Sequence, residues 1–235
     1  MNTILVSDKI YSEKIFNEGF ESKLYLKEGI LYKIFKTEDK SILKNKIEKL
    51  EILKSYKMED INPLDFIQIN GKIKGYTMLP FKDSKPLDIF LHNKKEKLRI
   101  LKIILEKISI LHQKHIIFGD INISNILIQN GQVHFCDYDN YKVENFNFDI
   151  TNYLENIYLS KLEADEYLDL YMFNLLTISY LKRIYEPYTL IYLKNGLPIY
   201  LDTIQNRNSL QNMFLLENKE EITPFIEHTK RYHLF

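Results

Sequence analysis

Short runs of alternating apolar and polar residues mark the first third of the chain as a sheet with one helix. A period of two predicts strands over residues 23–27, 30–35, 63–66, 67–69 and 73–79. The pairs Glu28-Gly29 and Asn70-Gly71 lie between neighbouring runs and predict tight hairpins. Over residues 40–56 the apolar positions recur every three or four residues with charged residues between them, which predicts a helix.

The pattern becomes helical after residue 80. Residues 96–112 place their leucines and isoleucines on one face, which predicts an amphipathic helix. Residues 165–184 predict a second long helix, and roughly the last forty residues also have a helical pattern, with a helix start at Thr223-Pro224. This change predicts a boundary near residues 80–86 between a β-rich part and a helical part.

A third hairpin is predicted within the helical part. The apolar runs 126–128 and 133–135 flank a turn that contains Asn130-Gly131, and an Asn-Gly pair is a strong hairpin signal. Pairing of these runs would return the chain to its starting point, so that Asn125 and Asp137, twelve positions apart, become neighbours. Asp120 precedes Asn125 by five positions. We therefore expect two carboxylates and an amide in one place.

These residue types are those that phosphoryl transfer needs. A carboxylate orients the attacking hydroxyl, and hard oxygen ligands hold magnesium against the nucleotide phosphates. Asp120 suits the first role, while Asn125 and Asp137 suit the second, because the asparagine adds a ligand without a further charge. The alternative is a solvated loop, where Asp and Asn also cluster. The hairpin, and the amphipathic helix that ends at Leu111-His112, favour the functional interpretation.

Composition and charge exclude several classes of function. Basic and acidic residues balance at 32 each among 235 residues, so no global field draws the protein to nucleic acid or to an anionic membrane. The single cysteine, Cys136, excludes an internal disulfide and fits a reducing compartment. No signal-peptide pattern is visible, and no apolar stretch approaches the roughly 18 residues that span a bilayer. We expect a cytoplasmic protein that binds neither nucleic acid nor membrane.

Over most of the chain these motifs resemble the protein-kinase-like superfamily. Phe118-Gly-Asp120 with Asn125 resembles the catalytic loop, and Asp137-Tyr-Asp139 takes the place of the metal-binding motif. The Gly-Asp-x-Asn-x-x-Asn spacing is most similar to compact bacterial atypical Ser/Thr kinases. The resemblance implies catalysis by Asp120, metal binding by Asn125 and Asp137, and ATP and Mg²⁺ as cofactors.

The same resemblance implies an α+β, bilobal protein-kinase-like fold. Residues 1–80 would form a β-rich N-lobe with one main helix, residues 81–86 the hinge, and residues 87–235 a reduced helical C-lobe. Asp169 begins a segment similar to the central helix of the C-lobe, whose aspartate braces the catalytic loop through backbone amides. Its alternative is a solvated helix residue. Asp139 would cap the next turn or contact a second metal ion.

Roles in the N-lobe follow from the resemblance as well. The segment Leu31-Tyr-Lys33-Ile34 is similar to the strand that bears the phosphate-binding lysine, with Lys36 as the nearest rival. Edge strands often carry a solvated lysine, which is the alternative for Lys33. Glu48 lies where the ion-pair partner of that lysine is expected, and Glu51, one turn away, is the other candidate.

Two further segments would contact the nucleotide. The turn over residues 17–22 would cover the phosphates, with Gly19 alone supplying backbone freedom. The grip on the nucleotide would then be weaker, or it would rely on the backbone amides around Phe20 to Ser22. The hinge would bind adenine around Pro80, which has no N–H to donate, through Met78, Leu79 and Phe81.

Several departures from the family pattern bear on function. There is no Gly-x-Gly-x-x-Gly, Gly119 replaces an arginine, Asn122 replaces the lysine of Ser/Thr kinases, and no Ala-Pro-Glu follows. The leading hypothesis is a kinase with a protein substrate. The alternatives are a small-molecule kinase, a pseudokinase that serves as a scaffold, and more remotely a metal hydrolase. The substrate and the oligomeric state stay open at this point.

Overall fold

Strands and helices both occur in the structure, a computed structural model, and the fold class is α+β. The structure describes residues 1–19, 21–58, 60–61, 63–88 and 90–146, together with Asp169, Met172, Phe173, Leu176, Thr177, Tyr180 and Arg183. The chain divides into two units, Met1–Asp83 and Ser84–Phe235. The division lies inside the segment 81–86 where the sequence predicts a hinge.

A six-stranded sheet forms most of the first unit. Its strands are β1 (Asn2–Leu5), β2 (Ile15–Glu18), β3 (Ser22–Lys27), β4 (Ile30–Phe35), β5 (Pro63–Ile69) and β6 (Lys72–Met78). The order across the sheet is β1-β5-β6-β4-β3-β2. Strand β1 pairs with β5 in parallel, and the other neighbours are antiparallel. Strands β3 to β6 agree with the predicted runs, whereas β1 and β2 were not predicted.

Two predicted turns set the register of this sheet. The φ angles are 50° and 77° at Glu28-Gly29, and 50° and 76° at Asn70-Gly71. Type I′ hairpin turns need positive φ at both central residues, and glycine adopts it at low cost. The register then pairs Lys33 with Leu24 on β3 and with Tyr76 on β6. Lys33 therefore lies on a central strand, and the edge-strand alternative is wrong.

Helix α1 (Lys40–Ser55) agrees with the helix predicted over residues 40–56. Asp39 caps its start by accepting hydrogen bonds from the backbone N–H groups of Ser41 and Ile42. Five side chains of this helix are buried: Leu43, Lys46, Lys49, Leu50 and Leu53. Burial of two lysines was not predicted, because periodicity treats lysine as an outward residue.

Helix α2 (Lys94–His112) organises the second unit. It begins two residues before the predicted start, because the side chain of Asn93 caps it by accepting a 3.0 Å hydrogen bond from Glu96 N. Its apolar face is buried as predicted and comprises Ile100, Leu101, Ile104, Leu105, Ile108 and Leu111. Lys97 and His112 are buried with it.

A second helix packs in this unit. The helical, fully buried residues are Asp169, Met172, Phe173, Leu176, Thr177 and Tyr180, and their spacing of three and four places them on one face. They agree with the helix predicted over residues 165–184. The rest of that prediction lies outside the described residues, as does the predicted helical pattern of the last forty or so residues with its start at Thr223-Pro224.

Buried polar contacts align this helix with α2. Lys97 Nζ, near the start of α2, donates a 2.6 Å hydrogen bond to Tyr180 O and lies 4.7 Å from the centre of the Tyr180 ring. His112, at the end of α2, contacts Asp169. The two helices are therefore antiparallel. The Tyr180 hydroxyl forms a 2.9 Å hydrogen bond with His92 Nδ1. Burial lowers the pKa of Lys97 and raises the pKa of Tyr180.

Two small sheets complete the second unit. The strands are β7 (Lys85–Pro86), β8 (Ile116–Ile117), β9 (Ile126–Gln129), β10 (Gln132–Phe135) and β11 (Lys142–Val143). One sheet has the order β10-β9-β7, and the other pairs β11 with β8. The β9–β10 hairpin was predicted, while the two-residue strands are too short to produce a pattern. In the part of the chain that the structure describes, no helix has the length and hydrophobicity to cross a membrane.

Candidate functional site

The loop that carries Asp120 begins at a glycine whose conformation a side chain would strain. Gly119 has φ of 76°, in the left-handed region. Phe118 before it is buried, and its ring lies 4.8 Å from that of Phe135 and 4.6 Å from that of Tyr141, measured between centroids. An arginine in place of Gly119 would therefore strain the backbone.

Asp169 braces this loop, as predicted. It is fully buried, and it accepts hydrogen bonds from Phe118 N at 2.8 Å and from Gly119 N at 2.7 Å, one at each carboxylate oxygen. The interpretation of Asp169 as a solvated helix residue is wrong. His112 Nε2 lies 3.0 Å from Asp169 Oδ2, so the end of α2 holds the same carboxylate. The sequence located His112 only as the end of a helix.

Two side-chain amides hold the carboxylate of Asp120. Asn122 Nδ2 donates to Asp120 Oδ1 at 2.8 Å, and Asn125 Nδ2 donates to Asp120 Oδ2 at 2.7 Å. Asn125 Nδ2 also lies 3.0 Å from Asp120 O. Each oxygen therefore accepts at least one hydrogen bond, which restrains the plane of the carboxylate. A carboxylate oxygen can accept more than one hydrogen bond, so these two contacts do not exhaust the acceptor capacity of either oxygen.

The β9–β10 hairpin places Asp137 next to Asn125. The strand register ends with Phe135 opposite Ile126, and Cys136 N then donates a 3.0 Å hydrogen bond to Asn125 O. The prediction that residues twelve apart become neighbours is confirmed. Asp137 has φ of 60° and ψ of 33°, a left-handed conformation that Asp and Asn tolerate better than most residues. A 3₁₀ turn follows at Tyr138–Asn140 and contains the buried Asp139.

Asn125 and Asp137 bear oxygens of the kind that bind magnesium, and metal binding by these two residues stays a prediction. The amide nitrogen of Asn125 faces Asp120, which leaves its oxygen as the atom that can bind a cation. Among the described residues, no three His, Cys, Asp or Glu side chains form a group that could hold a metal. Magnesium at a phosphate site needs fewer protein ligands, since one or two carboxylates suffice when phosphate oxygens and water complete the shell.

Lys33 is buried in the middle of the sheet of the first unit. Its side chain is 3% exposed, and its Nζ lies 5.9 Å from the centre of the Tyr76 ring. Strands β4 and β6 approach closely here: a Cβ added at Gly75 would lie 1.9 Å from Lys33 O. Gly75 therefore permits the close approach of the two strands at Lys33. The alternating pattern of the strand did not predict that a glycine is needed at this position.

The ion pair predicted between Lys33 and Glu48 is not formed in the structure. Glu48 Oε1 lies 3.7 Å from Lys44 Nζ, one turn earlier on α1, because these two residues share the outer part of the helix. The other candidate, Glu51, is also partly exposed, and its Oε1 lies 3.8 Å from the amino group of Met1. Neither acidic residue of α1 that the sequence proposed is therefore the partner of Lys33.

Lysines hold the turn between β2 and β3. Lys36 Nζ lies 2.8 Å from Glu18 Oε1 and donates a 2.8 Å hydrogen bond to Gly19 O, which is a structural role for the residue that rivalled Lys33. Side-chain hydrogen bonds lower the pKa of Glu18, the larger effect coming from Lys36 and the smaller from Lys23. Lys46 of α1 lies 3.3 Å from Glu21 Oε2 and is 3% exposed. The turn is therefore attached both to β4 and to α1.

The prediction that this turn needs the backbone freedom of a glycine at Gly19 is wrong. Gly19 N donates a 3.0 Å hydrogen bond to Ser22 O, but Gly19 lacks the positive φ that only glycine adopts easily. A Cβ there would lie 3.8 Å from Ser22 O, an ordinary contact. Ser22 is the first residue of β3 and is buried. Nucleotide contacts of Gly19 and Ser22 stay a prediction.

The predicted hinge residues follow the last strand of the sheet. Met78 ends β6 and pairs with Leu31 and Pro63 on its two neighbours. Leu79 is 54% exposed, and Phe81 is half-buried outside any strand or helix. Adenine binding by Met78, Leu79 and Phe81 stays a prediction.

The described residues therefore bring Asp120, Asn122 and Asn125 into direct contact and place Asp137 beside them through the hairpin. Sequence reasoning did not assign roles in the site to Asn122 and His112, nor to the buried lysines Lys46, Lys49 and Lys97. In the sequence, Asn122 stood out only as part of the Gly-Asp-x-Asn-x-x-Asn spacing and as the residue in the place of a kinase lysine. No protein-family model matches this chain, and no curated protein is significantly similar to it in sequence.

Proposed function

We propose that the protein is an ATP- and Mg²⁺-dependent phosphotransferase with a bilobal protein-kinase-like fold. The observation that carries this proposal is the double hydrogen bonding of Asp120 by Asn122 and Asn125, in a loop whose backbone Asp169 braces. A carboxylate fixed in this way, beside an amide oxygen and the Asp137 carboxylate, matches the parts that phosphoryl transfer requires.

The reaction follows from these roles. The hydroxyl oxygen of the acceptor bonds to the γ-phosphorus of ATP, the bond from that phosphorus to the bridging oxygen breaks, and ADP leaves with the electron pair. Asp120 orients the hydroxyl and receives its proton. Asn125 and Asp137 would hold Mg²⁺, which neutralises charge on the phosphates. Lys33 would bind the phosphates by charge.

The acceptor in this proposal is a Ser or Thr hydroxyl of a protein, on this chain or another, in the cytoplasm. The Gly-Asp-x-Asn-x-x-Asn spacing, which is most similar to compact bacterial atypical Ser/Thr kinases, supports this class of acceptor. The balanced charge of the chain also favours no strongly charged small substrate.

A nucleotide-binding scaffold without phosphate transfer is the second candidate. Two observations favour it: Glu48 pairs with Lys44 instead of Lys33, and the turn at Gly19 has no conformation specific to glycine. Both bear on how the first unit would grip the nucleotide. Neither affects the contacts around Asp120.

One experiment separates the two candidates. The purified protein is incubated with γ-labelled ATP and Mg²⁺, alone and with a lysate, and label in protein and in small molecules is counted. We expect label in protein, and a fall of about 100-fold or more in Asp120→Asn with nucleotide affinity retained. Asp65→Asn, the same change on β5, is the matched control. ATP binding without transfer would support the scaffold, and equal transfer by Asp120→Asn would refute the role of Asp120.

A further inference from the structure

Asn122 has two separate sets of hydrogen bonds. Its oxygen accepts from Ser124 N at 2.8 Å and from Asn125 N at 3.2 Å, which caps the 3₁₀ turn at Ile123–Asn125. Its nitrogen donates to Asp120 Oδ1 at 2.8 Å and lies 3.3 Å from Asp120 O. The cap alone needs only the oxygen. The nitrogen therefore serves a second purpose.

That second purpose concerns the orientation of the Asp120 carboxylate. Asn125 Nδ2 donates a 2.7 Å hydrogen bond to Asp120 Oδ2. With this donor alone, the carboxylate could still rotate while keeping that hydrogen bond. Asn122 holds the other oxygen, so rotation about the bond to Cβ would break one of two short hydrogen bonds. Both of these donors are neutral side-chain amides.

We propose that Asn122 is a positioning residue for Asp120: its amide nitrogen sets the plane of the catalytic carboxylate, and its oxygen independently shapes the turn that presents Asn125. This inference rests on the proposed phosphotransferase function. It assigns to Asn122 a task that a lysine at the same position would perform differently, since an ammonium would bring charge and could not accept from Ser124 N and Asn125 N.

The two tasks separate by substitution. In Asn122→Ser the hydroxyl oxygen still caps the turn, as serine commonly does, but the shorter side chain has no amide to reach Asp120 Oδ1. Asn122→Ala removes both tasks. Asn93→Ser is the matched control, because Asn93 caps α2 through the same kind of contact with Glu96 N and is not part of the proposed site.

The first test compares turnover with stability. For Asn122→Ser we expect kcat to fall about 10-fold or more while KM for ATP stays within about twofold, since misplacing a catalytic group affects the transition state. Its melting midpoint should fall by more than that of Asn93→Ser, because it also loses the hydrogen bond to Asp120, and by less than that of Asn122→Ala. Asn122→Ala should lose the same activity and also melt earlier. If Asn122→Ser keeps kcat within about twofold of the wild type, Asn122 is only a cap and the inference is overturned.

The second test needs no activity. Melting midpoints are compared for Asp120→Ala, Asn122→Ser and the double variant, which isolates the coupling of the two side chains. We expect the shifts of the single variants not to add, because each removes the same hydrogen bond. Additive shifts would overturn the inference. Absence of transfer in the wild type would refute the proposed function alone, while this cycle would still decide whether Asn122 holds Asp120.

Discussion

Asp169→Ala tests the brace on which the geometry of the loop that carries Asp120 depends. The substitution removes the acceptor of two buried backbone N–H groups, Phe118 N and Gly119 N, whose hydrogen bonds to Asp169 are 2.8 and 2.7 Å long. It also removes the partner of His112 Nε2. The carboxylate is fully buried, so water does not take its place without a rearrangement of the packing.

The expected magnitude follows from these contacts. A buried donor left without an acceptor costs about 1–3 kcal/mol, so two backbone donors cost about 2–6 kcal/mol. Domains are stable by only about 5–15 kcal/mol. A loss of 1 kcal/mol lowers the melting midpoint by about 2–4 °C in chains of this size, so we expect a fall of about 4 °C or more. Asp169→Asn keeps one acceptor oxygen and should fall between the alanine variant and the wild type.

Thermal unfolding and amide hydrogen exchange check this prediction together. Exchange at Phe118 and Gly119 should accelerate in Asp169→Ala, and phosphate transfer should fall with it. Thr177→Val is the control on the same helix. It removes a buried hydroxyl that donates a 2.9 Å hydrogen bond to Phe173 O, one turn earlier on that helix, so it should cost about 1 kcal/mol or less. A midpoint for Asp169→Ala within about 1 °C of the wild type, with exchange unchanged, would refute the brace.

Three further predictions concern the sheet, the metal ligand and alkaline pH. Gly75→Ala should lower the free energy of unfolding by about 1–3 kcal/mol, because the added Cβ would collide with Lys33 O. Gly19→Ala should leave stability nearly unchanged. Equal melting midpoints for the two variants would contradict this prediction. Asp137→Asn removes the charge but keeps a residue type that tolerates the left-handed backbone, so the stability should not change. Calorimetry should then show weaker Mg²⁺-dependent binding of ATP. If the Mg²⁺ dependence of ATP binding is undiminished, Asp137 is not a metal ligand. Burial raises the pKa of Tyr180, so the unfolded chain loses this proton first, and stability should fall above about pH 10. As the pH rises from about 9 to 11, the free energy of unfolding should fall less in Tyr180→Phe than in the wild type. If stability depends on pH in the same way in both proteins, the Tyr180 phenol does not contribute to this dependence.

Local signals in the sequence predicted the elements that local geometry determines. The turns at Glu28-Gly29, Asn70-Gly71 and Asn130-Gly131 all have positive φ at both central residues, and their strands pair as the patterns indicated. The hairpin at Asn130-Gly131 also placed Asp137 next to Asn125 correctly, because a short antiparallel pair leaves little freedom in where its ends meet.

Contacts between distant residues could not be predicted in the same way. The parallel pairing of β1 with β5 has no turn signal, since residues about sixty positions apart meet. Buried Lys46 and Lys49 look like outward positions in a helical pattern, but long aliphatic stems allow lysines to lie against apolar neighbours. The contact of His112 with Asp169 spans 57 positions. Glu48 was predicted to pair with Lys33 from its position in the helix sequence. That position alone does not determine which lysine the carboxylate contacts.

The brace by Asp169 also has a consequence for the order in which the protein becomes functional during synthesis. Gly119 and Asp169 are 50 positions apart, so at about 5–20 residues per second the ribosome needs roughly 3–10 s to make the carboxylate after the loop. During that interval the hairpin can already form from local contacts, while the N–H groups of Phe118 and Gly119 still bind water. A nascent chain that ends before Asp169 therefore holds every residue of the proposed catalytic set in the second unit, yet lacks the contact that fixes the loop.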